Sequence, residues 1–250
     1  MNLYTTLIYQ PIFNALVWIY NIIPGNDIGI AIIVLTFLIK IVLYPFTKKS
    51  LDSQRSLQDI QPKIKEIQIK YKDNQQVLAQ ELMKLYKEEK VSPFSSCLPV
   101  LIQLPVLIAV YKVFQSGLHS SGFELLYSFV KNPGTIDVMS FGFVDMAKPS
   151  IALAVFAGLS QYFQAKMNFA KKPAKVGGNE VAGSSDEKMM AMMNKQMMYM
   201  MPVLTTIIGV SLPAGLSLYW FVSTLIMIGQ QWVIFKPKKI PEVEFITPVK

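Results

Sequence analysis

Five long apolar runs alternate with polar segments along this 250-residue chain: 28–46, 97–114, 149–165, 198–212 and 215–235. Each approaches the roughly 20 apolar residues that carry a helix across a bilayer, so the pattern predicts an all-α polytopic membrane protein with five transmembrane helices. The polar stretch between the first two runs has its own period. Leu57, Ile60, Ile64, Ile67 and Tyr71 step by threes and fours, the seam of a coiled-coil helix, and Leu78, Leu82 and Leu85 form a second stripe. Pro62 predicts a kink or restart, and Lys72–Asp73–Asn74 supplies turn and cap residues, so residues 47–96 are expected to fold as a two-helix hairpin. A linker folded back on itself explains it as well as a docking element.

The flanks are less regular. Residues 1–27 are apolar without a basic residue, and Pro11 interrupts the run. They are expected as an interfacial helix on the outer face, with Trp18 and Tyr20 near the headgroups, and a sixth span is the competing reading. No charged n-region of a secretory signal is present. The loop 115–148 predicts a short surface helix around 123–130. Residues 166–197 join a Gly/Ser/Lys loop to a stretch, Lys188 to Pro202, with more than half of the chain's 14 methionines. Such a stretch suits either a helix at the membrane edge or an adaptable apolar entry surface.

Composition supports a membrane class: 52% hydrophobic and 16% charged, against roughly 25% charged in soluble domains. The net charge of +8 is distributed by side. Residues 47–96 hold ten Lys/Arg, 166–196 six and the tail 236–250 four, whereas 115–148 holds only Lys131 and Lys148. This positive-inside asymmetry predicts an outer N-terminus and a cytoplasmic C-terminus, and it argues against a nucleic-acid patch. Cys97 alone makes no disulfide, and His119 alone makes no metal site. No Ser/His, Asp/Asp or metal-ligand set lies within the spans, so an enzyme is not expected, nor any cofactor.

One charge stands inside the first run. Lys40 has no acid near it in sequence, and a lysine at the centre of a span costs about 2.5–3.5 kcal/mol on insertion scales, which makes it a functional-site candidate. Snorkelling to the cytoplasmic face requires a long reach, because helical side chains lean toward their own N-terminus. Helical spacing puts Thr36, Lys40, Tyr44 and Thr47 on one stripe, and Ser217, Trp220, Thr224, Met227 and Gln231 on another. Gln103 and Tyr111 share a face of the second span. Together these faces predict a water-containing cavity around Lys40. Lys112, nearer the outer end, is expected to snorkel.

Taken in order, GIAIIVLTFLIKIVLYPFTKKS, the hairpin sequence through CLPVLIQLPVLIAVYKVF, MMYMMPV and LPAGLSLYWFVSTLIMIGQQW resemble the YidC/Oxa/Alb family of membrane protein insertases over nearly the whole chain. The resemblance implies a five-helix core around a hydrophilic groove closed toward the outside, with a cytoplasmic coiled-coil hairpin. Lys40 falls where the family usually has arginine, and the client-contacting positions fall on Thr36, Gln103, Leu107, Tyr219 and Trp220. It further implies a bacterial inner-membrane protein whose partners are nascent or completed membrane-protein clients and the lipid bilayer. A Sec-type translocon, the ribosome and signal recognition particle machinery are possible further partners. The chain resembles the shorter members without a large outer domain. Its tail is short and partly acidic, which argues against tail-driven ribosome binding. The alternative from the residues alone is a small-molecule or ion transporter with Lys40 as its anion site.

Overall fold

A computed structural model of the chain describes residues 3–92, 98–117, 120–169 and 185–235. Cys97, His119, the loop 170–184 and the tail 236–250 lie outside the described residues, as do the methionine side chains from 189 to 193.

Helix α1 (Gln10–Ile22) continues a π-helical turn, Thr5–Tyr9. Pro11 does not break it. A proline in the first turn of an α-helix lacks only a donor that has no helical partner there, and the π turn before it absorbs the change of pitch. The α1 face Phe13, Leu16, Val17 and Tyr20 is buried, so this helix is part of the bundle's core.

Helix α2 (Ile28–Val42) begins at an Asp27 cap, whose carboxylate accepts from the Gly29 and Ile30 amides at 2.8 and 3.1 Å. It ends at Leu43, and α3 (Tyr44–Asp59) departs at 66°. Pro45 explains the break: it has no N–H for a bond back into α2 and disfavours helical geometry in the residue before it. The uninterrupted stripe expected from Thr36 to Thr47 is therefore divided. Helix α4 (Gln61–Lys70) restarts with Pro62 in its first turn, and α5 (Gln75–Glu88) starts at Asn74, whose side chain accepts from the Val77 amide at 3.2 Å. Buried Ile60, Ile64 and Leu85, flanked by Leu57, Ile67, Leu82 and Tyr86, hold α4 and α5 together. A Lys63–Glu89 ion pair at 2.5 Å joins the end away from the turn.

Helix α6 (Leu98–Lys112) contains Pro105 and runs into a second π turn, Val113–Gly117. Lys112 lies 5.0 Å from the centre of the Tyr4 ring, a cation–π contact. A 3₁₀ turn at Ser120–Leu125 replaces the helix expected at 123–130. Strands β1 (Met139–Ser140) and β2 (Val144–Asp145) pair antiparallel, a departure from the all-α expectation. Gly142 at φ 79° makes the tight turn between them.

Helix α7 (Ile151–Phe169) packs on α8 (Ser185–Ser211), which joins the methionine-rich stretch and the fourth apolar run in one helix through Pro202. Small residues set this contact. A Cβ at Gly158 would overlap the Thr206 hydroxyl, and one at Gly209 would meet Ala154 Cβ at 2.9 Å. After Pro213 the chain enters α9 (Ala214–Ile234), which packs on α7 and α2.

Among the described residues, no single helix is long and apolar enough to span a membrane by length and composition. α2 and α3 pass only as a bent pair. The bend at Pro45 divides the first apolar run, and α9 interrupts its own with Ser217, Ser223, Thr224, Gln230 and Gln231. The exterior is nonetheless apolar: Phe37, Ile41, Leu101, Phe156, Ile207 and Val233 are all exposed.

Candidate functional site

The polar atoms inside the bundle converge where α2, α6 and α9 meet. Lys40, only 4% exposed, donates from Nζ to Gln103 Oε1 at 3.2 Å. Gln103 Nε2 donates in turn to the hydroxyl of Tyr219, which is fully buried and also hydrogen-bonded with Ser223. One amide thus bridges an ammonium on α2 and a phenol on α9. No carboxylate lies within ion-pairing distance of Lys40 among the described residues.

The neighbouring hydroxyls are committed to their own helices. Thr36 donates to the Ile32 carbonyl at 2.6 Å, and Thr224 to the Trp220 carbonyl at 2.8 Å. Such back-bonding satisfies a hydroxyl inside an apolar bundle without another partner. Leu107 is half-buried against the core, and Trp220 is half-buried. Tyr44 does not join the cluster: the bend at Leu43 leaves it 43% exposed.

Sequence spacing missed two features. Ser223 sits one turn after Tyr219, so a search at i+4 from each buried polar residue finds it. Thr205, which donates to Gln161 Oε1 between α8 and α7, has no periodic signal within its apolar run. Near the C-terminal end of α9, Gln231 is buried with its Oε1 unpaired, and Arg55 of α3 donates to the Ile234 carbonyl at 2.8 Å. That carbonyl is one of the acceptors left open at a helix C-terminus. The bond ties the start of the hairpin segment to the end of α9.

The arrangement is an uncompensated cation, held by a neutral amide, inside a bundle with an apolar exterior. It can attract an anionic group and exchange hydrogen bonds with it. It holds no nucleophile–base pair.

Comparison with known proteins gives the family and the fold. Membrane protein insertases YidC from Francisella tularensis subsp. novicida (strain U112), subsp. tularensis (strain SCHU S4) and subsp. holarctica (strain LVS) are each 35% identical over 219 residues. These alignments take in 87% of this chain and 34% of each relative, so the chain spans about a third of the length of the curated relatives it matches. A solved structure described as an active YidC insertase with its first transmembrane domain resolved has the same fold, with a TM-score of 0.57 at 24% identity. The match covers 95% of this chain and 48% of that one. The family model of the 60Kd inner membrane protein matches residues 18–242. An apolar outer surface suits a chain embedded in lipid, and with that family match the chain belongs to the 60Kd inner membrane protein family, that of the YidC insertases.

Proposed function

We propose that this chain is a membrane protein insertase whose charged groove receives the hydrophilic segment of a client while the client's apolar helix enters the lipid. The observation that carries the reading is Lys40, buried, hydrogen-bonded to Gln103 and without a carboxylate partner among the described residues. In an insertase that role is open for a client carboxylate. Coulomb attraction at 4 Å is about 1 kcal/mol in water and about 4 kcal/mol at an effective dielectric of 20, enough to draw an acidic segment partway across. Polar groups in mid-bundle also shorten the apolar barrier that such a segment crosses.

In this reading the hydrophilic faces of α2, α6 and α9 form the groove, with Thr36, Leu107, Trp220 and Thr224 along its wall. Five bundle helices cross a bacterial inner membrane with the C-terminus in the cytoplasm, and α1 lies toward the outer face. The α4–α5 hairpin projects into the cytoplasm, where a Sec-type translocon, the ribosome or signal recognition particle machinery would meet it. The charge asymmetry of the segments supports that orientation. No observation favours the alternative of a small-molecule transporter.

Photocrosslinking tests the reading. Probes at Gln103 and Trp220 should capture a stalled nascent membrane protein, and a probe at Ile69, exposed on the hairpin, should capture far less. Crosslinks at the two groove positions that are absent, or no stronger than at Ile69, overturn it.

A further inference from the structure

The segment from Met139 to Pro149 is fastened at both ends. At α2, the Asp27 carboxylate accepts from its own cap amides and also from Ser140 Oγ and from the Phe141 amide at 2.7 Å. Ser140 is fully buried and accepts from the Gly29 amide at 3.1 Å. Gly29 makes this approach possible, because a Cβ there would overlap Ser140 Oγ and sit 3.0 Å from the methyl of buried Met146.

The other fastening is to α9. The Gly215 amide donates to the Met146 carbonyl at 3.0 Å, the Ala214 amide to the Lys148 carbonyl at 2.8 Å, and Pro149 forms a bridge with Pro213. These amides belong to the first turn of α9, which has no acceptor within the helix. The segment therefore runs as a strap between the starts of α2 and α9, the helices that carry Lys40 and Tyr219. Tyr219 lies only five residues after Ala214, about 8 Å along the axis at 1.5 Å per residue.

The two fastenings differ in kind. At α9 the contacts are backbone to backbone and depend on no side chain. At α2 they converge on one carboxylate, which takes two donors from the helix and two from the strap. Without that carboxylate, the Ser140 and Phe141 donors lose their acceptor and the strap is tied to α2 only through Gly29.

We propose that Asp27 is a positioning residue: its carboxylate latches the 139–149 strap across the outer ends of α2 and α9, so that the Lys40–Gln103–Tyr219 site is open to water from the cytoplasmic side alone. This rests on the insertase groove reading above. A groove that admits hydrophilic client segments leaks ions unless one end is sealed, and the strap is the polypeptide that bridges these two helix starts. Asp27 acts through the strap and touches no client.

Sided thiol labelling of the full chain in right-side-out vesicles tests this. Ser223→Cys in a Cys97→Ser background places a reporter thiol beside Tyr219. With Asp27 intact, an outside-added impermeant maleimide should label it slowly and a permeant maleimide readily. Asp27→Ala should raise the outside rate roughly ten- to hundredfold, the effect of losing hydrogen bonds to a charged group on a local opening equilibrium. The rate from the cytoplasmic side should not change, whereas general loosening raises both. Ser140→Ala removes one bond to the carboxylate and the neutral bond from Gly29 while keeping the helix cap and the Phe141 bond to Asp27, and should give a smaller increase even if Asp27→Ala does not fold. Unchanged outside labelling in both variants, or fast outside labelling in the parent, overturns the latch and leaves the groove reading standing. A reporter that the permeant reagent cannot reach in the parent overturns the hydrated groove, and the latch with it.

Discussion

Gln103→Leu removes the amide that joins Lys40 to Tyr219 at nearly constant volume. Tyr219 retains Ser223 as a partner, so the group left most exposed to the loss is the Lys40 ammonium, whose bond to Gln103 Oε1 is 3.2 Å. In a dry site, stripping a buried charge of its partner costs about 3–5 kcal/mol, and losing the Gln103–Tyr219 bond adds about 1 kcal/mol. In a hydrated groove water replaces Gln103 on the ammonium at a penalty of about 0–2 kcal/mol, and with the Gln103–Tyr219 bond the net loss is about 1–3 kcal/mol. For a chain of this size 1 kcal/mol shifts Tm by about 2–4 °C. At the middle of these ranges the wet site predicts a Tm drop of about 6 °C, and the dry site one of about 15 °C. Thermal unfolding in detergent, followed by tryptophan fluorescence, reads the difference, and Lys40→Met in the Gln103→Leu background completes the cycle. A drop above about 10 °C that Lys40→Met largely reverses refutes the hydrated groove.

Gly215→Val drives a side chain into the Phe114 ring, which a Cβ at 215 already overlaps. It should lower stability by about 1–3 kcal/mol in the same melt. Leu85→Ala empties the centre of the three-residue hairpin core and should cost about 2–5 kcal/mol there. Hydrogen exchange should then rise in residues 60–88 and stay unchanged in α2 and α9. Asp27 titrates below the ordinary carboxylate value: burial raises it, and hydrogen bonds from Ser140, Phe141, Ile30 and Gly29 outweigh that. Its contribution to the strap is therefore complete above about pH 4 and is lost as pH falls through the lowered folded value, so strap amides should keep their exchange protection above about pH 4 and lose it on further acidification.

Helix identity was legible wherever one physical signal dominated. The threes-and-fours spacing of Leu57, Ile60, Ile64 and Ile67, with Asn74 as a cap, marked the hairpin's two helices, because its core is local and its period undisturbed. The ends of the apolar runs were less legible. Apolarity continues through Phe46, but Pro45 turns the chain at Leu43 and moves Tyr44 out of the stripe that simple spacing assigned to it. Pro11 was misread in the opposite sense: in a first turn it is harmless, and α1 runs through it into the core. At the candidate site, the unbalanced charge of Lys40 and the polar faces of α6 and α9 stood out in the sequence. The Lys40–Gln103–Tyr219 chain of bonds spans 63 and 116 residues of sequence separation, which no local period reports. The same holds for Asp27, whose strap donors lie more than 110 residues away.

The central claim is that the Lys40 charge acts on clients. Insertion of a single-span client with an acidic outer tail into proteoliposomes, compared among the parent, Lys40→Arg and Lys40→Gln, tests it most directly. Losing about 1–2 kcal/mol of attraction to a client carboxylate should slow insertion by Lys40→Gln roughly five- to thirtyfold, leave Lys40→Arg near the parent rate, and spare a client with a neutral tail. Parent-rate insertion of the acidic-tailed client by Lys40→Gln contradicts the account.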